Sequence, residues 1–343
     1  MATYKDSGVD IDAGMESVDR IKGLVKKTFD GNVVTGLGSF GAMYSLKEAK
    51  EMEDPILVQS IDSVGTKLMV ATMMNKHDTI GIDMVSHSAN DVLCQGAKPL
   101  TFLDYIAASK ISPHQIEQIV IGIVEGCKQS GMSVIGGEIA ELPGVYAEKE
   151  YDLVGAVAGI VDRSKVVTGE KIKSGDKVIG LASTGLHTNG YSLARHVLFQ
   201  LKSYEVDTYL DELGETVGEA LLKPHRSYAV PVLKLMEEIE VKGIAHITGG
   251  GLIENPVRVL PDGCGMKIYK DKFETLPIFN LIVREGEVPE EDAYRTFNMG
   301  VGMILVVSAE VAEKALGSLK GMVDYKVWEI GEVIEGEKRV TLV

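Results

Sequence analysis

The 343-residue chain has few cysteines, a shortage of positive charge and no long apolar run, and each lack excludes a class of protein. Its three cysteines, Cys94, Cys127 and Cys264, are odd in number and lack the paired spacing of zinc ligands, so no disulfide framework or structural zinc site is expected. We expect small apolar side chains in a reducing cytoplasm. With 35 basic and 50 acidic residues the net charge is −15, which disfavours general binding to nucleic acid or to anionic lipid.

The longest apolar run, Leu153–Val161, is too short to cross a bilayer, and the first 20 residues carry five carboxylates where a secretory signal needs an apolar stretch. What the chain does have is 45% hydrophobic residues and 38 glycines. That content supports a large core, and the length indicates about two domains. We place the boundary in the polar segment 162–176, which gives domains 1–168 and 169–343.

Strand patterns alternate with amphipathic helices, which predicts an α/β or α+β fold in two domains. The clearest helix has Ser112 as its cap, Pro113 in its first turn and Gly131 at its end. Strands are predicted at Ile56–Ile61, Leu100–Ala108, Val134–Ile135, Leu153–Val161, Lys177–Ala182, Ile244–Ile247, Met303–Val307 and, as an edge strand, Val327–Val333. Further helices are predicted at Val18–Lys26, Thr79–Gln95, Tyr191–Leu201, Ala309–Leu319 and, bent or broken at Pro231, His225–Ile239.

Two motifs in the first half have the residue types that phosphate and Mg²⁺ need. Backbone N–H groups of the glycine run Gly36–Gly41 can cradle phosphate, although the same run can be a surface turn. The segment Asp62–Lys67 follows a predicted strand and supplies a carboxylate, a glycine turn, a hydroxyl and an ammonium. That set suits Mg²⁺ and polyphosphate, and it equally suits an ordinary turn whose Asp caps the next helix.

The helix predicted at 81–95 presents Asp83, His87 and Asp91 at positions i, i+4 and i+8, and therefore on one face. Such a face either lines a polar cleft or holds a buried network. In the segment Gly136–Gly144, Glu138 is expected just past a strand on a glycine hinge. One hypothesis is that Asp62, Asp91 and Glu138 converge on Mg²⁺.

Two loops in the second half, Ser183–Ser192 and His246–Leu252, each follow a strand and precede a helix. Each is either a simple capping turn or a set of backbone N–H groups and hydroxyls that favours an anion, and the presence of two favours a phosphorylated ligand. His187 can donate a proton or a hydrogen bond there. The segment Arg295–Met303 is expected to serve packing, with Asn298 facing a cleft as the alternative.

Taken together, these motifs resemble the aminoimidazole ribonucleotide synthetase family, also called phosphoribosylformylglycinamidine cyclo-ligases, over essentially the whole chain. The segments that carry the resemblance are Tyr4–Gly14, Asp62–Lys67, Asn90-Asp91, Gln95–Ala97, Phe102–Tyr105, Gly136–Gly144, Gly185–Ser192, His246–Gly251 and Phe297–Met303. One departure is Ile139, where the family commonly has a Thr. No role is carried over to His87.

The resemblance implies an N-terminal domain that binds ATP and forms a homodimer through its sheet, and a C-terminal domain that binds substrate. It implies an ATP- and Mg²⁺-dependent ring closure in purine biosynthesis. The formamide oxygen of formylglycinamidine ribonucleotide is phosphorylated, the amidine nitrogen attacks, and 5-aminoimidazole ribonucleotide forms with ADP and phosphate. The expected partners are this phosphoribosyl substrate and a second copy of the chain, with no nucleic acid or membrane.

The resemblance also assigns roles to individual residues. Asp91, His187 and Lys22 would be catalytic. ATP would contact Gly38, Ser39, Phe40, Gly41, Asp62, Lys67 and Asn90. Asp62, Asp91 and Glu138 would hold Mg²⁺. The ribonucleotide would contact Thr188, Asn189, Thr248, Gly249 and Gly250.

Related families fit the sequence less well. Formylglycinamidine ribonucleotide synthetases are generally longer. Selenophosphate synthetases need a reactive residue near the N-terminus, where this chain has no cysteine before Cys94. The hydrogenase-maturation relatives need a C-terminal cysteine, and this chain ends Thr341-Leu342-Val343. Thiamine-monophosphate kinases would show more Asp pairs in the first half. A nucleotide-binding module without turnover is the alternative from a different class.

Overall fold

A computed structural model describes residues 4–343, which form two compact units. The N-terminal unit comprises the chain up to Val92 together with Lys98–Ser164. The C-terminal unit comprises Leu93–Ala97 and Lys165–Val343. Within the described residues, none of the helices combines the length and the apolar content needed to cross a bilayer.

Eleven α-helices and 12 strands are found in the described chain. The helices are α1 Ile11–Val25, α2 Lys67–Met74, α3 Ile80–Leu93, α4 Pro113–Ser130, α5 Tyr191–Arg195, α6 Val217–Leu221, α7 Ala229–Met236, α8 Gly251–Glu254, α9 Pro277–Gly286, α10 Glu290–Thr296 and α11 Ala312–Met322. The strands are β1 Pro55–Ser63, β2 Lys98–Ala108, β3 Ser133–Glu141, β4 Tyr151–Asp162, β5 Lys177–Ala182, β6 Tyr209–Leu210, β7 Glu215–Thr216, β8 Val241–His246, β9 Cys264–Ile268, β10 Val301–Val307, β11 Val327–Glu335 and β12 Val340–Leu342. The predicted mixed fold class is thereby confirmed.

The N-terminal unit contains a four-stranded sheet in the order β1-β4-β2-β3. Strands β2 and β3 are parallel, and the other neighbours are antiparallel. Along β1 the side chains alternate between exposed and half-buried, because successive residues point to opposite faces. One face of this sheet therefore carries the core, and the other is open.

Helices α3 and α4 of this unit touch backbone to backbone, and glycines make that possible. A Cβ built on Gly81 would lie 2.3 Å from the carbonyl oxygen of Ile119, and one on Gly122 would lie 2.7 Å from that of Asp78. Any side chain at either position would force the helices apart. This close contact fixes the position of α3, which carries four of the polar side chains singled out above.

The C-terminal unit is built on a six-stranded sheet in the order β12-β9-β11-β5-β10-β8. Its neighbours are antiparallel except β12 and β9. Every residue of β10 is buried, as expected for a central strand covered on both faces. The prediction that Val327–Val333 is an edge strand is wrong, because β11 lies between β9 and β5.

Three further predictions of local structure need correction. The helix predicted from His225 begins at Ala229, so Pro231 lies in its first turn, where a missing N–H is tolerated, and causes no break. The helix that starts at Tyr191 changes to π geometry over His196–Leu201. Strand β3 continues to Glu141, so Gly136-Gly137 lies inside a strand and forms no hinge after it.

Candidate active site

The end of β1 and the face of α3 bring Asp62 and Asp91 together in the N-terminal unit. Their side chains share a hydrogen bond, and Ser60 Oγ donates to Asp91 Oδ2 at 3.3 Å. His87 Nε2 lies 3.5 Å from Asp62 Oδ2. Ser60 and Asp62 share one face of β1, while His87 and Asp91 are one helical turn apart, so the two elements meet along these four side chains.

Two carboxyl groups in contact are electrostatically unfavourable unless a proton or a cation lies between them. Burial, and then the nearby charge of Asp91, raise the pKa of Asp62 from 3.8 to about 6. Hard oxygen ligands of this kind are what Mg²⁺ prefers. The pair therefore fits a divalent cation. Asn90, the neighbour of Asp91 on α3, is fully buried.

Lys67 does not occupy the position that the sequence predicted for it. Its side chain is completely buried, and Nζ lies 2.8 Å from Asp83 Oδ1, which is also completely buried. Burial lowers the pKa of Lys67, and the charge of Asp83 opposes that effect. The predicted contact of this ammonium with phosphate is therefore corrected: the structure assigns Lys67 to an internal ion pair that joins α2 to α3.

A second feature of the N-terminal unit is a groove of about 620 Å³, walled by α1 on one side and β3 on the other. Five of the predicted site residues line this groove, namely Lys22, Gly38, Ser39, Phe40 and Glu138. Its volume lies within the usual range for small-molecule sites. Gly41 follows this run in sequence but is exposed outside the groove lining. The structure thus groups the glycine run with the basic residue predicted beside it.

Glu138 does not join Asp62 and Asp91 within this unit. It lies on β3, whereas Asp62 lies on β1, and these strands are the two edges of the sheet. Three strand spacings separate them by about 14 Å. The predicted convergence of the three carboxylates is therefore not found in the N-terminal unit. Glu138 belongs to the groove.

In the C-terminal unit, His187 lies in a cluster of three buried histidines. Its ring stacks on that of His225, with centroids 4.0 Å apart and 17° between the planes. His225 Nε2 lies 2.9 Å from His246 Nε2, and His225 Nδ1 lies 3.3 Å from Thr188 Oγ1. His187 has a positive φ of 62°, an uncommon conformation for a residue with a side chain. The cluster thus fixes both the ring and the backbone of the loop.

The two predicted anion loops of this unit lie against each other. A Cβ on Gly249 would be 3.3 Å from Asn189 Oδ1. The side chain of Asn255 accepts a hydrogen bond from Thr248 N at 2.8 Å and donates one to Gly249 O at 3.2 Å. Gly250 has a φ of 115°, which explains a glycine there. All five predicted substrate-binding residues therefore belong to two adjoining loops.

Asn298 is buried and forms hydrogen bonds with the loop Ser183–Ser192, which agrees with the packing role expected for its segment. Its Nδ2 donates to Gly185 O at 2.9 Å, and its Oδ1 accepts from Ser183 Oγ and Gly300 N, both at 2.9 Å. With three hydrogen bonds inside the unit, this amide holds the loop in place.

Sequence reasoning missed His225 and gave His246 no role. Because His225 lies in the connection between α6 and α7 and His246 is the last residue of β8, no spacing rule links them to His187. The one available signal in the sequence was that three of the seven histidines lie beside strands or helices near the glycine loops. Gly302 gives a second sign of close packing: a Cβ there would lie 2.1 Å from Tyr228 Oη and 2.6 Å from His187 Cε1.

Comparisons with known proteins identify the family of the chain. Two family models match, the AIR synthase related protein N-terminal domain over residues 44–161 and its C-terminal domain over residues 173–343. A phosphoribosylformylglycinamidine cyclo-ligase of Alkaliphilus oremlandii is 49% identical, with 99% of each chain covered. One of Caldicellulosiruptor bescii is 50% identical over all of both chains. The chain belongs to this family. The resemblance inferred from the motifs is confirmed, and with it the class of enzyme, a ligase of purine biosynthesis.

More distant solved structures share the fold. The crystal structure of hydrogenase maturation protein HypE in complex with ATP superposes with a TM-score of 0.66, covering 98% of this chain and 92% of that one. The identity is 16%, so this likeness concerns the fold alone. The much higher identity to the cyclo-ligases separates this chain from its structural neighbours.

Proposed function

We propose that the chain closes the imidazole ring of formylglycinamidine ribonucleotide at the expense of ATP, giving 5-aminoimidazole ribonucleotide, ADP and phosphate. The observation that carries this proposal is identity of about 50% along the whole chain to enzymes named for this reaction. The structure supports it with two polar clusters of different chemistry, one in each unit.

The reaction needs a good leaving group, and it needs the two reacting groups of the substrate to be held close together. A formamide oxygen leaves poorly, and transfer of the γ-phosphoryl group of ATP to that oxygen turns it into phosphate, which leaves well. The amidine nitrogen then attacks the activated carbon, the carbon–oxygen bond breaks, and the nitrogen loses a proton. Both reacting groups belong to one substrate, so the protein must hold it folded and neutralise the phosphate charge.

In the N-terminal unit, ATP would lie in the groove between α1 and β3. The side chain of Lys22 and the backbone of Gly38 and Ser39 would face the phosphates. Asp62 and Asp91 would hold Mg²⁺ at the opposite edge of the sheet from Glu138, which lines the groove on β3. When bound, Mg²⁺ supplies positive charge against the phosphate oxygens.

In the C-terminal unit, the ribonucleotide would lie on the two adjoining loops. Thr248 N and Gly250 N already donate to Asn255 Oδ1 and Arg295 O, so the backbone N–H of Gly249 and the side chains of Thr188 and Asn189 would offer hydrogen bonds to an anion. His187, held by its stack on His225, would donate a hydrogen bond to the reacting part of the substrate. A preformed arrangement of this kind needs little rearrangement when substrate binds.

We also propose that two copies associate through the open face of the N-terminal sheet. Leu57, Ile61 and Leu103 are 59%, 69% and 43% exposed. Ile61 and Leu103 lie on either side of Ala156 in the sheet and hence on the same face. An exposed apolar sheet face is typical of a protein interface. None of the three cysteines forms a disulfide within residues 4–343, which supports a reducing compartment, the cytoplasm, for this homodimer.

The decisive experiment is ATP hydrolysis by the purified protein with Mg²⁺, with and without formylglycinamidine ribonucleotide, together with an assay for the aminoimidazole. We expect ADP release to depend on the ribonucleotide and to match product formation one for one. ADP release without aminoimidazole, or no response to the ribonucleotide, would overturn the proposal. A protein that binds ATP without turnover would support the binding-module alternative.

A further inference from the structure

Asp104, on β2 at the floor of the groove, is a carboxyl group for which the proposed reaction has no use. Three other carboxylates of the groove have partners: Asp10 accepts from Ala13 N, Asp19 from Lys22 Nζ, and Glu141 from the backbone of Ile111. Glu138, the remaining one, is exposed to solvent, whereas Asp104 is half-buried. Within residues 4–343, Asp104 has a hydrogen bond with its own backbone and with no other residue. Its oxygens therefore have hydrogen-bonding capacity to spare, beside a cavity.

Gly137 is the reason that this carboxyl reaches the groove. The two residues are paired across β2 and β3, and a Cβ built on Gly137 would lie 2.4 Å from Asp104 Oδ1. The φ of Gly137 lies outside the left-handed region, so its backbone conformation does not demand glycine. Space does. Any larger residue would cover Asp104 or displace it.

The surroundings of Asp104 are mostly apolar. Ile21 on α1, Val120 on α4 and Val134 on β3 are buried side chains that also line the groove. Burial raises the pKa of Asp104 from 3.8 to about 7, so at neutral pH much of this carboxyl is protonated. A protonated carboxyl offers one donor and one acceptor side by side. A flat heterocycle with the complementary pair would fit between these apolar walls.

We propose that Asp104 recognises the base of the nucleotide, accepting a hydrogen bond from the exocyclic amino group of adenine and donating one to its ring N1. This inference rests on the proposed function, because it takes ATP as the ligand of the groove. It gives the groove two ends: a phosphate end at Lys22 and Gly38, and a base end at Asp104 and Gly137. Asp104 is then a specificity-determining residue.

The test compares ATP with purine riboside 5′-triphosphate, which lacks the exocyclic amino group, by kcat/KM in the ribonucleotide-dependent assay. We expect the wild-type protein to prefer ATP by about 10-fold or more, since a site built to pair with an amino group rejects a ligand without it. Asp104→Leu should lower kcat/KM for ATP and bring the ratio close to one. Asp104→Asn, which offers the same donor and acceptor, should keep the preference.

The control is Asp19→Asn, which removes a carboxylate from α1 in the same groove and should leave the ratio unchanged. An undiminished preference in Asp104→Leu would overturn the inference, and so would loss of the preference in Asp104→Asn. If Asp104→Leu does not fold, 1-deaza-ATP, which lacks N1, tests the wild-type protein: use as efficient as that of ATP would overturn the inference. The proposed function fails separately, by an absence of ribonucleotide-dependent turnover with ATP itself.

Discussion

The polar clusters of the two units differ in how far their side chains interact favourably with one another. In the N-terminal unit, Asp62 and Asp91 are in contact although both are acids, and Asp104 has no partner beyond its own backbone within residues 4–343. In the C-terminal unit, His187 stacks on His225, His225 contacts His246, and Asn298 donates to Gly185 O. The first cluster gains stability from a cation or a proton. The second is already organised, as an anion site should be.

The sheets show the same contrast. The N-terminal sheet has an open face with Leu57 and Ile61 exposed, whereas every residue of the central strand β10 in the C-terminal sheet is buried. Loops attached to a fully buried strand are held rigidly. Gly302 illustrates how tightly, because even one methyl group there would meet Tyr228 and His187. The N-terminal sheet instead has an open face, to which the proposed second copy would bind.

The largest expected effect is that of Asp91→Asn. It keeps the shape of the side chain and removes the charge that holds Mg²⁺, so turnover should fall on the order of 10³-fold. Thermal unfolding should show equal or greater stability, because the repulsion with Asp62 is gone. The matched control is Asp78→Asn, which removes an exposed acid paired with Lys76 and should leave turnover unchanged. Near-normal activity of Asp91→Asn would remove the metal assignment.

Variants of the buried pair Lys67 and Asp83 distinguish a structural role of Lys67 from a contact of Lys67 with phosphate. Asp83→Leu removes the carboxylate that faces the buried ammonium of Lys67 and should destabilise the protein by about 3–5 kcal/mol in chemical denaturation. The double variant Lys67→Met/Asp83→Leu should recover most of that loss, because the buried charge of Lys67 is removed as well. It should also retain turnover. A stable double variant without ATP turnover would return Lys67 to the phosphate site.

Much of the fold could be predicted from the sequence, because the hydrophobic periodicity agrees locally with the residues that begin and end helices and strands. The helix between Ser112 and Gly131 and the strand Lys177–Ala182 have the predicted bounds. The errors arose where tertiary context decides. Nothing local shows that β11 has a neighbour on each side, or that β3 runs on through Gly136-Gly137.

The site was harder to predict, since its parts are joined by topology. Asp62 and Asp91 meet because α3 lies over β1, and Glu138 is kept from them by the strand order. Lys67 carried a plausible phosphate motif, but burial and Asp83 determine its role. Asp104 lay within a family segment, and only the pairing of β2 with Gly137 shows that its carboxyl reaches a groove. Spacing cannot supply such contacts between distant segments.

A smaller effect is expected in the pH dependence of stability at Asp104. Its pKa in the folded chain, about 7, lies above the ordinary 3.8, so the folded state binds the proton more tightly. The resulting stabilisation is complete below pH 4 and is lost as the pH rises through 7. Asp104→Asn should therefore be close to the wild-type protein in stability at pH 4 and exceed it at pH 8 by up to about 4 kcal/mol, a value that solvent screening reduces because the residue is only half-buried.

Urea denaturation at both pH values measures this difference, with the exposed Asp78→Asn as the control that should show no such change. The sign of the stability difference between Asp104→Asn and the wild-type protein at pH 8 is the informative result. A partner cation or donor for Asp104 would lower its pKa, and the Asn variant would then be less stable at pH 8. That result would contradict the contrast between an unsatisfied N-terminal carboxyl and a satisfied C-terminal cluster.

The smallest effect should come from His225→Phe, which keeps a ring for His187 to stack on and removes the contacts with Thr188 and His246. The loop loses two restraints, so the KM for the ribonucleotide should rise about 10-fold, the cost of one ordinary hydrogen bond. The KM for ATP should stay the same, because ATP is assigned to the N-terminal groove. His196→Phe, at an exposed histidine, should change neither constant. Equal increases in both KM values would show that the histidine cluster serves nucleotide as well as ribonucleotide, and the division of labour between the units would have to be abandoned.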